Sequence, residues 1–249
     1  MSLVSRIVNK VRRTLHPPKQ ANLEGIPESV LSVMRRVRED RLTYLPETHL
    51  ASLVQLCMEY ERRGDEGVII EAGCALGGSA IALCATKSKQ RPLRVYDVFG
   101  MIPPPGEKDD PDVHERYQEI KSGASKGIDD DPYYGYEENL YDKVKDSFAR
   151  FELPVDQNAA ELIKGLVQDT LEGDDPVCLA HVDVDWFDPV MTCLERIVPR
   201  LIPGGAIVLD DYNAWSGCRK ATDEYFAGER RAGFEFDDSY GHMVIRRKA

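Results

Sequence analysis

Four aspartates end two apolar segments of the sequence, and their type and spacing indicate a cation site. Asp183 and Asp185 end the segment CLAHVDVD, and Asp210 and Asp211 end the segment AIVLDD. Carboxylates this close repel one another unless a proton or a cation lies between them. If both segments are parallel strands, their carboxyl ends meet at one edge of a sheet, where open α/β proteins bind their ligands.

We expect Asp183, Asp210 and Asp211 to converge on one hard cation. Three carboxylates without an obvious histidine or cysteine partner favour Mg²⁺, Ca²⁺ or Mn²⁺ over zinc. Asp185 should share a side of its strand with Asp183, because side chains along a strand alternate with a period of two. The alternative is that some of these aspartates cap helices, as we expect of the Asp-Pro pair at 188–189.

The segment EAGCALGGS is a candidate cofactor loop between a predicted strand and a predicted helix. Gly73, Gly77 and Gly78 would let backbone N–H groups at a helix N-terminus approach a ligand closely. Asp97 ends the next strand 19 residues after Gly78, a distance at which an acidic residue commonly binds ribose hydroxyls. Glu71 would repel a pyrophosphate and suits a cationic ligand with an amino group, such as S-adenosylmethionine. The alternatives are a tight turn without a ligand, and a Glu71 that caps a helix or lies on the surface.

Strands that alternate with helices predict an α/β fold in which a parallel sheet has helices on both faces. The segments GFEFDD and GHMVIRR predict a final hairpin, so that one strand is antiparallel. The predicted strands before this hairpin are 67–71, 93–99, 160–165, 176–184 and 206–211, and the predicted helices are 27–40, 46–63, one after the glycines, a short one near 111–122, 136–151, 187–201 and 217–229.

The polar segment 100–135 is rich in proline, glycine and aspartate and is too long for an ordinary connection. We interpret it as an insertion that covers the site, and we call it the lid. Aromatic residues at its end and in the two acidic loops can contact a sugar face or simply pack in turns; they are Tyr133, Tyr134, Tyr136, Trp186 and Trp215.

Composition excludes several classes of function. The 249 residues carry a formal net charge of -11, so the basic surface typical of a general nucleic-acid binder is missing. The sequence contains no run of 18 apolar residues, so a membrane span is not expected. A signal peptide is not expected either. The six cysteines lack metal-ligand spacing, which predicts buried free thiols and a reducing, cytoplasmic location.

The N-terminal region predicts helices beyond those that an α/β core requires. Residues 2–16 place apolar side chains at helical spacing with basic residues between them, which favours an arm packed on protein over an interfacial membrane helix. We divide the chain into a helical arm at 1–63, with contacts to the cofactor and to a second subunit, and a main domain at 64–249. A homodimer is therefore expected.

Five segments resemble the macrocin O-methyltransferase family, in the same order, over about residues 45–230. They are IIEAGCALGGSAIAL, VYDVFGMIP, FARFELP, LIKGLVQDTL and HVDVDWFDPVMTCLERIVPRLIPGGAIVLDDYNAWSGCRKATDEYF. The resemblance implies a Rossmann-like class I methyltransferase fold with a mostly parallel seven-stranded sheet and an antiparallel last strand. It implies S-adenosylmethionine and Mg²⁺ as cofactors, metal ligands at Asp183, Asp210 and Asp211, and a general base at Asp185. The residues implied to bind the cofactor are Glu71, Gly73, Cys74, Gly77, Ser79, Asp97 and Asp183.

The resemblance also implies an activity: transfer of a methyl group to a hydroxyl of a sugar, in a glycoside antibiotic or a mannose-type oligosaccharide. The alternatives are a catechol-type methyltransferase, a nicotinamide-dependent oxidoreductase and a non-catalytic module that binds Ca²⁺ or a glycan. Asp185 can act as the base or orient a metal-bound water. His114 and His242 are other candidate bases, whereas His181 is expected in the core.

Overall fold

A mixed sheet runs through the centre of the molecule in the computed structural model, which describes residues 19–249. Within these residues it contains seven strands in the order β3-β2-β1-β4-β5-β7-β6. β1 to β5 are parallel, and β7 is antiparallel to both of its neighbours. The strands are β1 Val68–Ala72, β2 Leu93–Asp97, β3 Ala160–Lys164, β4 Val177–Val182, β5 Leu201–Leu209, β6 Phe234–Asp237 and β7 Met243–Arg247. The predicted sheet, with its antiparallel last strand, is confirmed.

The central strands are buried on both faces, because helices cover the sheet on either side. Every residue of β1 and β4 is buried, as expected for parallel strands with near-continuous apolar sequences. Strand side chains that point to one face of the sheet contact helices 28–39, 47–63, 78–86 and 140–150. Those that point to the other face contact helices 187–197 and 216–225.

The α-helices in the described part of the chain have the following bounds. They are Glu28–Glu39, Glu47–Arg63, Gly78–Thr86, Pro111–Lys121, Leu140–Arg150, Val167–Thr170, Phe187–Ile197 and Ser216–Tyr225. None of the helices described is both long enough and apolar enough to cross a membrane. All six cysteines are free and buried, as predicted.

Two predicted boundaries near the acidic loops are wrong. β4 ends at Val182 instead of residue 184, so Asp183 and Asp185 lie in a loop. β5 begins at Leu201 instead of residue 206, although its Pro-Gly-Gly sequence is typical of a turn. The strand accommodates these residues through an irregularity in its pairing with β4, where the register shifts between Val177 and Leu179.

The helical arm is described in part. Helices 28–39 and 47–63 share one apolar core with helix 78–86 and the sheet. The predicted amphipathic segment 2–16 lies outside the described residues. The division into an arm at 1–63 and a main domain at 64–249 therefore stays a prediction.

The lid contains the predicted short helix, which runs from Pro111 to Lys121. Its apolar side chains form a separate cluster with Trp186 from the loop after β4. The Trp186 indole Nε1 donates a hydrogen bond to the Pro103 carbonyl at 3.0 Å. The lid is thus packed onto the carboxyl edge of the sheet, over the acidic loops.

Candidate functional site

A cavity of about 270 Å³ opens at the carboxyl edge of the sheet, between the strand ends and the lid. The strand ends contribute Gly73, Asp97 and all four aspartates of the acidic loops. The lid contributes Ile120 and Arg116, among other residues. This is the position at which open α/β sheets bind ligands.

Asp97 connects the end of β2 to the glycine loop, residues 73–78. Its Oδ2 accepts hydrogen bonds from the backbone N–H groups of Cys74 at 2.8 Å and Ala75 at 3.2 Å. Its Oδ1 accepts one from the Phe99 N–H at 2.6 Å. Burial raises the pKa of Asp97, and these backbone donors counteract the rise. Asp97 therefore lies at the cavity wall and holds the glycine loop in place, while its contact with ribose hydroxyls stays a prediction.

The glycines of this loop are required first by close backbone packing. Gly73 has a φ of +84°, and a Cβ there would lie 1.9 Å from the Asp183 carbonyl oxygen. A Cβ on Gly78 would lie 2.5 Å from the Leu42 carbonyl oxygen. Gly73 lines the cavity and Gly77 does not, so a role in ligand binding stays a prediction for both.

Glu71 is fully buried beneath the loop and does not line the cavity. The Ser79 hydroxyl donates a hydrogen bond to one of its carboxylate oxygens. The other oxygen lies 3.1 Å from His181 Nδ1. Burial lowers the pKa of His181, but the charge and hydrogen bonding of Glu71, together with the charges of Asp183 and Asp210, outweigh it and raise that pKa to about 9. His181 thus lies in the core, as predicted, while cofactor contacts of Glu71, Ser79 and the buried Cys74 stay predictions.

Three of the four aspartates form a group that we call the carboxylate trio: Asp183, Asp185 and Asp211. One oxygen of each lies within 4.8 Å of the others, and Asp211 Oδ2 is buried without a hydrogen-bond partner. Burial, followed by the charge of Asp210, raises the pKa of Asp183 to about 8. Oxygen donors in this arrangement fit a hard divalent cation.

Asp185 joins the trio through a turn and not through strand alternation, which corrects the expected reason for its position. It lies beyond the end of β4 with a φ of +56°, a left-handed conformation that is uncommon outside glycine. Burial raises the pKa of Asp185 to about 6, although hydrogen bonding and the charge of Arg116 oppose this rise.

Asp210 points to two histidines. Its Oδ1 lies 2.7 Å from His49 Nδ1 and 3.6 Å from His242 Nδ1. Burial favours a raised pKa, but His242 and His49 hold the pKa of Asp210 well below its usual range. The structure therefore brings Asp183 and Asp211 together as predicted, and places Asp210 beside the trio in a separate contact. Sequence reasoning missed His49, because nothing in PETHL distinguishes it from a surface histidine.

Two lid carboxylates bind the helices that follow the acidic loops. Asp109 Oδ1 accepts a hydrogen bond from the Phe187 N–H at 2.8 Å. Asp112 accepts hydrogen bonds from the Ser216 N–H at 3.2 Å and the Ser216 hydroxyl at 2.5 Å. Both acids lie at helix N-termini, where the helix dipole stabilises negative charge. They fix the lid directly against the loops that carry the trio.

Aromatic side chains form the outer wall of the cavity. The rings of Tyr133 and Tyr134 are 4.4 Å apart, and those of Trp186 and Trp215 are 5.9 Å apart. All four line the cavity. Arg116 is the only lysine or arginine among the described residues that line it, and no histidine is among them. Asp185 is thus better placed than His114 or His242 to act as a base.

The strand order and the antiparallel β7 define the class I methyltransferase fold. Residues 39–232 match the family described as macrocin-O-methyltransferase (TylF), and the chain belongs to this family. Its membership confirms the resemblance drawn from the five sequence segments.

The chain is similar to 8-demethyl-8-(2,3-dimethoxy-alpha-L-rhamnosyl)-tetracenomycin-C 4'-O-methyltransferase of Streptomyces olivaceus. The two are 31% identical over 76% of this chain and 64% of that protein. The match likewise spans less than two thirds of the other curated relatives.

Two solved structures show the same fold. The O-methyltransferase NovP is 20% identical with a TM-score of 0.69, over 100% of this chain and 99% of that one. An O-methyltransferase from Bacillus cereus in complex with S-adenosylhomocysteine is 14% identical, with a TM-score of 0.54 over 98% of this chain and 97% of that one.

Proposed function

We propose that the protein is an S-adenosylmethionine-dependent and Mg²⁺-dependent O-methyltransferase that acts on a sugar hydroxyl. The observation that carries the proposal is the shared cavity, where a glycine loop with a strand-end acid lies beside three carboxylates. The glycine loop and the strand-end acid are typical of a site for a ribose-bearing cofactor, and the three carboxylates are typical of a hard cation site. Family membership supports the same activity.

The cofactor half of the cavity has residues suited to S-adenosylmethionine. Asp97 would accept hydrogen bonds from ribose hydroxyls, and Gly73, which also lines the cavity, would bring its backbone close to the cofactor. Cys74 and Gly77 in the loop, with Glu71 and Ser79 at its two ends, would support the methionine part. When bound, the cofactor supplies a sulfonium methyl group for transfer to an oxygen nucleophile.

The metal half of the cavity has an oxygen-rich donor set. Asp183 and Asp211 of the carboxylate trio would hold Mg²⁺. Asp210, which lines the same cavity and contacts His49 and His242 through Oδ1, would be the third ligand that the family resemblance implies. Asp211 has a buried oxygen without a hydrogen-bond partner, and the pKa of Asp183 is raised. Both features are expected of close carboxylates whose negative charges a bound cation would balance. When bound, Mg²⁺ lowers the pKa of an acceptor hydroxyl.

Asp185 would remove the proton from the acceptor hydroxyl. Its pKa of about 6 leaves it mostly ionised at neutral pH, yet more basic than an ordinary aspartate. General-base assistance of this kind contributes ~10²–10⁴-fold to the rate. The lid and the aromatic wall, which includes Tyr133 and Trp186, would exclude water and orient the sugar.

A labelled-methyl transfer assay tests the proposed function. Wild-type protein and Asp185→Asn are incubated with S-adenosyl-[methyl-¹⁴C]methionine and rhamnosylated glycosides, mannose oligosaccharides and catechols, with Mg²⁺ or EDTA. We expect Mg²⁺-dependent label on a sugar and a large loss of rate in the variant. Labelling of catechols alone would refute the sugar acceptor, and label that persists in EDTA would refute the role of the metal.

A further inference from the structure

Two histidines from distant parts of the chain meet at Asp210, and we call them the histidine pair. His49 lies in the first turn of helix 47–63, and His242 directly precedes β7. Their ring centroids are 4.5 Å apart, and both Nδ1 atoms face Asp210 Oδ1. Neither ring lines the cavity, whereas Asp210 does, so the pair contacts Asp210 from outside the cavity.

The orientation of His242 is fixed independently of Asp210. The ring is fully buried, and its Nε2 lies 3.0 Å from the Ser52 hydroxyl. Ser52 is three residues after His49 in the same helix, and residues at this spacing lie on one helical face. One face of helix 47–63 therefore positions both rings of the histidine pair against Asp210.

We propose that His49 and His242 are positioning residues that orient Asp210 toward the divalent cation; this rests on the proposed function. A carboxylate that binds a metal through one oxygen is commonly held by hydrogen bonds to its other atoms, and losing such a partner weakens metal binding about 10–100-fold. His49, at 2.7 Å, makes the shorter contact and is the main constraint. Through it, the arm helix stabilises the metal site.

A different interpretation treats the same atoms as ligands. One atom each of His49, Asp210 and His242 lies within 4.8 Å of the others. Two imidazoles and one carboxylate suit zinc better than Mg²⁺. We favour the positioning role because His49 Nδ1 already lies within hydrogen-bond distance of Asp210, leaving the neighbouring oxygen donors for Mg²⁺.

The test compares two variants of His49 that differ in the donor they offer. His49→Phe keeps a ring and removes the hydrogen-bond donor, whereas the His49→Asn amide N–H replaces Nδ1–H. The affinity for Mn²⁺, used as the metal probe, is measured by electron paramagnetic resonance. We expect ~10–100-fold weaker binding in His49→Phe and near wild-type binding in His49→Asn. Calorimetric affinity for S-adenosylhomocysteine without metal should be unchanged in both.

The outcomes separate the inference from the proposed function. An unchanged Mn²⁺ affinity in His49→Phe would refute the positioning role. The role would also be refuted if the wild-type protein binds Zn²⁺ and both variants lose this binding. If His49→Phe fails to fold, Ser52→Ala, which releases His242, should weaken Mn²⁺ binding in a smaller step. A wild-type protein that binds S-adenosylhomocysteine but no Mn²⁺ would refute the metal part of the proposed function and, with it, this inference.

Discussion

Replacing Asp211 with asparagine removes one charge from the carboxylate trio and leaves the size of the side chain almost unchanged. Asp211 is 7% exposed, and burial together with the charges of Asp185 and Asp183 raises its pKa well above the usual value. At pH 8 without metal, folding therefore brings together carboxylates that the unfolded chain keeps in water. We expect Asp211→Asn to make the metal-free protein more stable.

The pKa of a neighbouring group gives the size of this effect. The pKa of Asp185 is about 6 in the folded chain against an ordinary 3.8. Because each pKa unit corresponds to 1.36 kcal/mol, this group alone disfavours folding by ~3 kcal/mol at pH 8. Asp211 is buried in the same trio with its own pKa raised, so removal of its ionisable group in Asp211→Asn should raise the free energy of unfolding by a similar amount, ~2–3 kcal/mol, and Tm by ~4–12 °C for a chain of this length.

Thermal denaturation followed by circular dichroism at pH 8 measures this shift, first in EDTA and then in Mg²⁺. The control is Asp156→Asn, an exposed carboxylate before β3 at the opposite edge of the sheet, and its Tm should not change. Mg²⁺ should stabilise the wild type and fail to stabilise Asp211→Asn. A variant that is less stable than the wild type in EDTA, or equally stabilised by Mg²⁺, would refute the reasoning.

Four further predictions follow from the same geometry. Because the pKa values of Asp183 and Asp185 are raised to about 8 and about 6, the metal-free protein should lose stability in urea titrations as pH rises from about 4 to 8; stability that rises over this range would contradict the assignment. Gly73→Ala would place its Cβ against the Asp183 backbone and should cost ~3 kcal/mol or more, while Gly233→Ala, with open space around it, should be nearly neutral in the same titration. Asp112→Ala removes both acceptors for Ser216, so it should weaken the cap of helix 216–225 by ~1 kcal/mol and speed limited proteolysis within the lid; an unchanged cleavage rate would show that this contact does not hold the lid. Light scattering on the full chain should give the mass of a dimer, and a monomer would contradict the expected role of the arm.

Local sequence patterns predicted the elements that carry the cofactor half of the site. The glycine loop and Asp97 belong to one strand–helix–strand unit, and their contacts follow from the pairing of β1 with β2. The acidic loops were predicted for the same reason, since β4 and β5 are neighbours. Patterns of this kind depend on residues that are close in sequence or in adjacent strands.

Contacts that depend on packing between distant elements could not be predicted. His49 is 161 residues from Asp210, and its position depends on how helix 47–63 packs on the sheet. The Asp109 and Asp112 caps depend in the same way on the path of the lid. The turn at Asp185 depends on a left-handed residue in a sequence without glycine, so its local pattern gave no warning.

The central claim is that one cavity binds S-adenosylmethionine beside a divalent cation, and calorimetry with S-adenosylhomocysteine tests it most directly. The titration is made on the wild type with and without Mg²⁺, and repeated on Asp97→Ala. We predict binding in the wild type and a large loss of affinity in Asp97→Ala, because the carboxylate that would hold the ribose and also fixes the glycine loop is removed. No binding to the folded wild-type protein, or equal binding to Asp97→Ala, would contradict the account of this site.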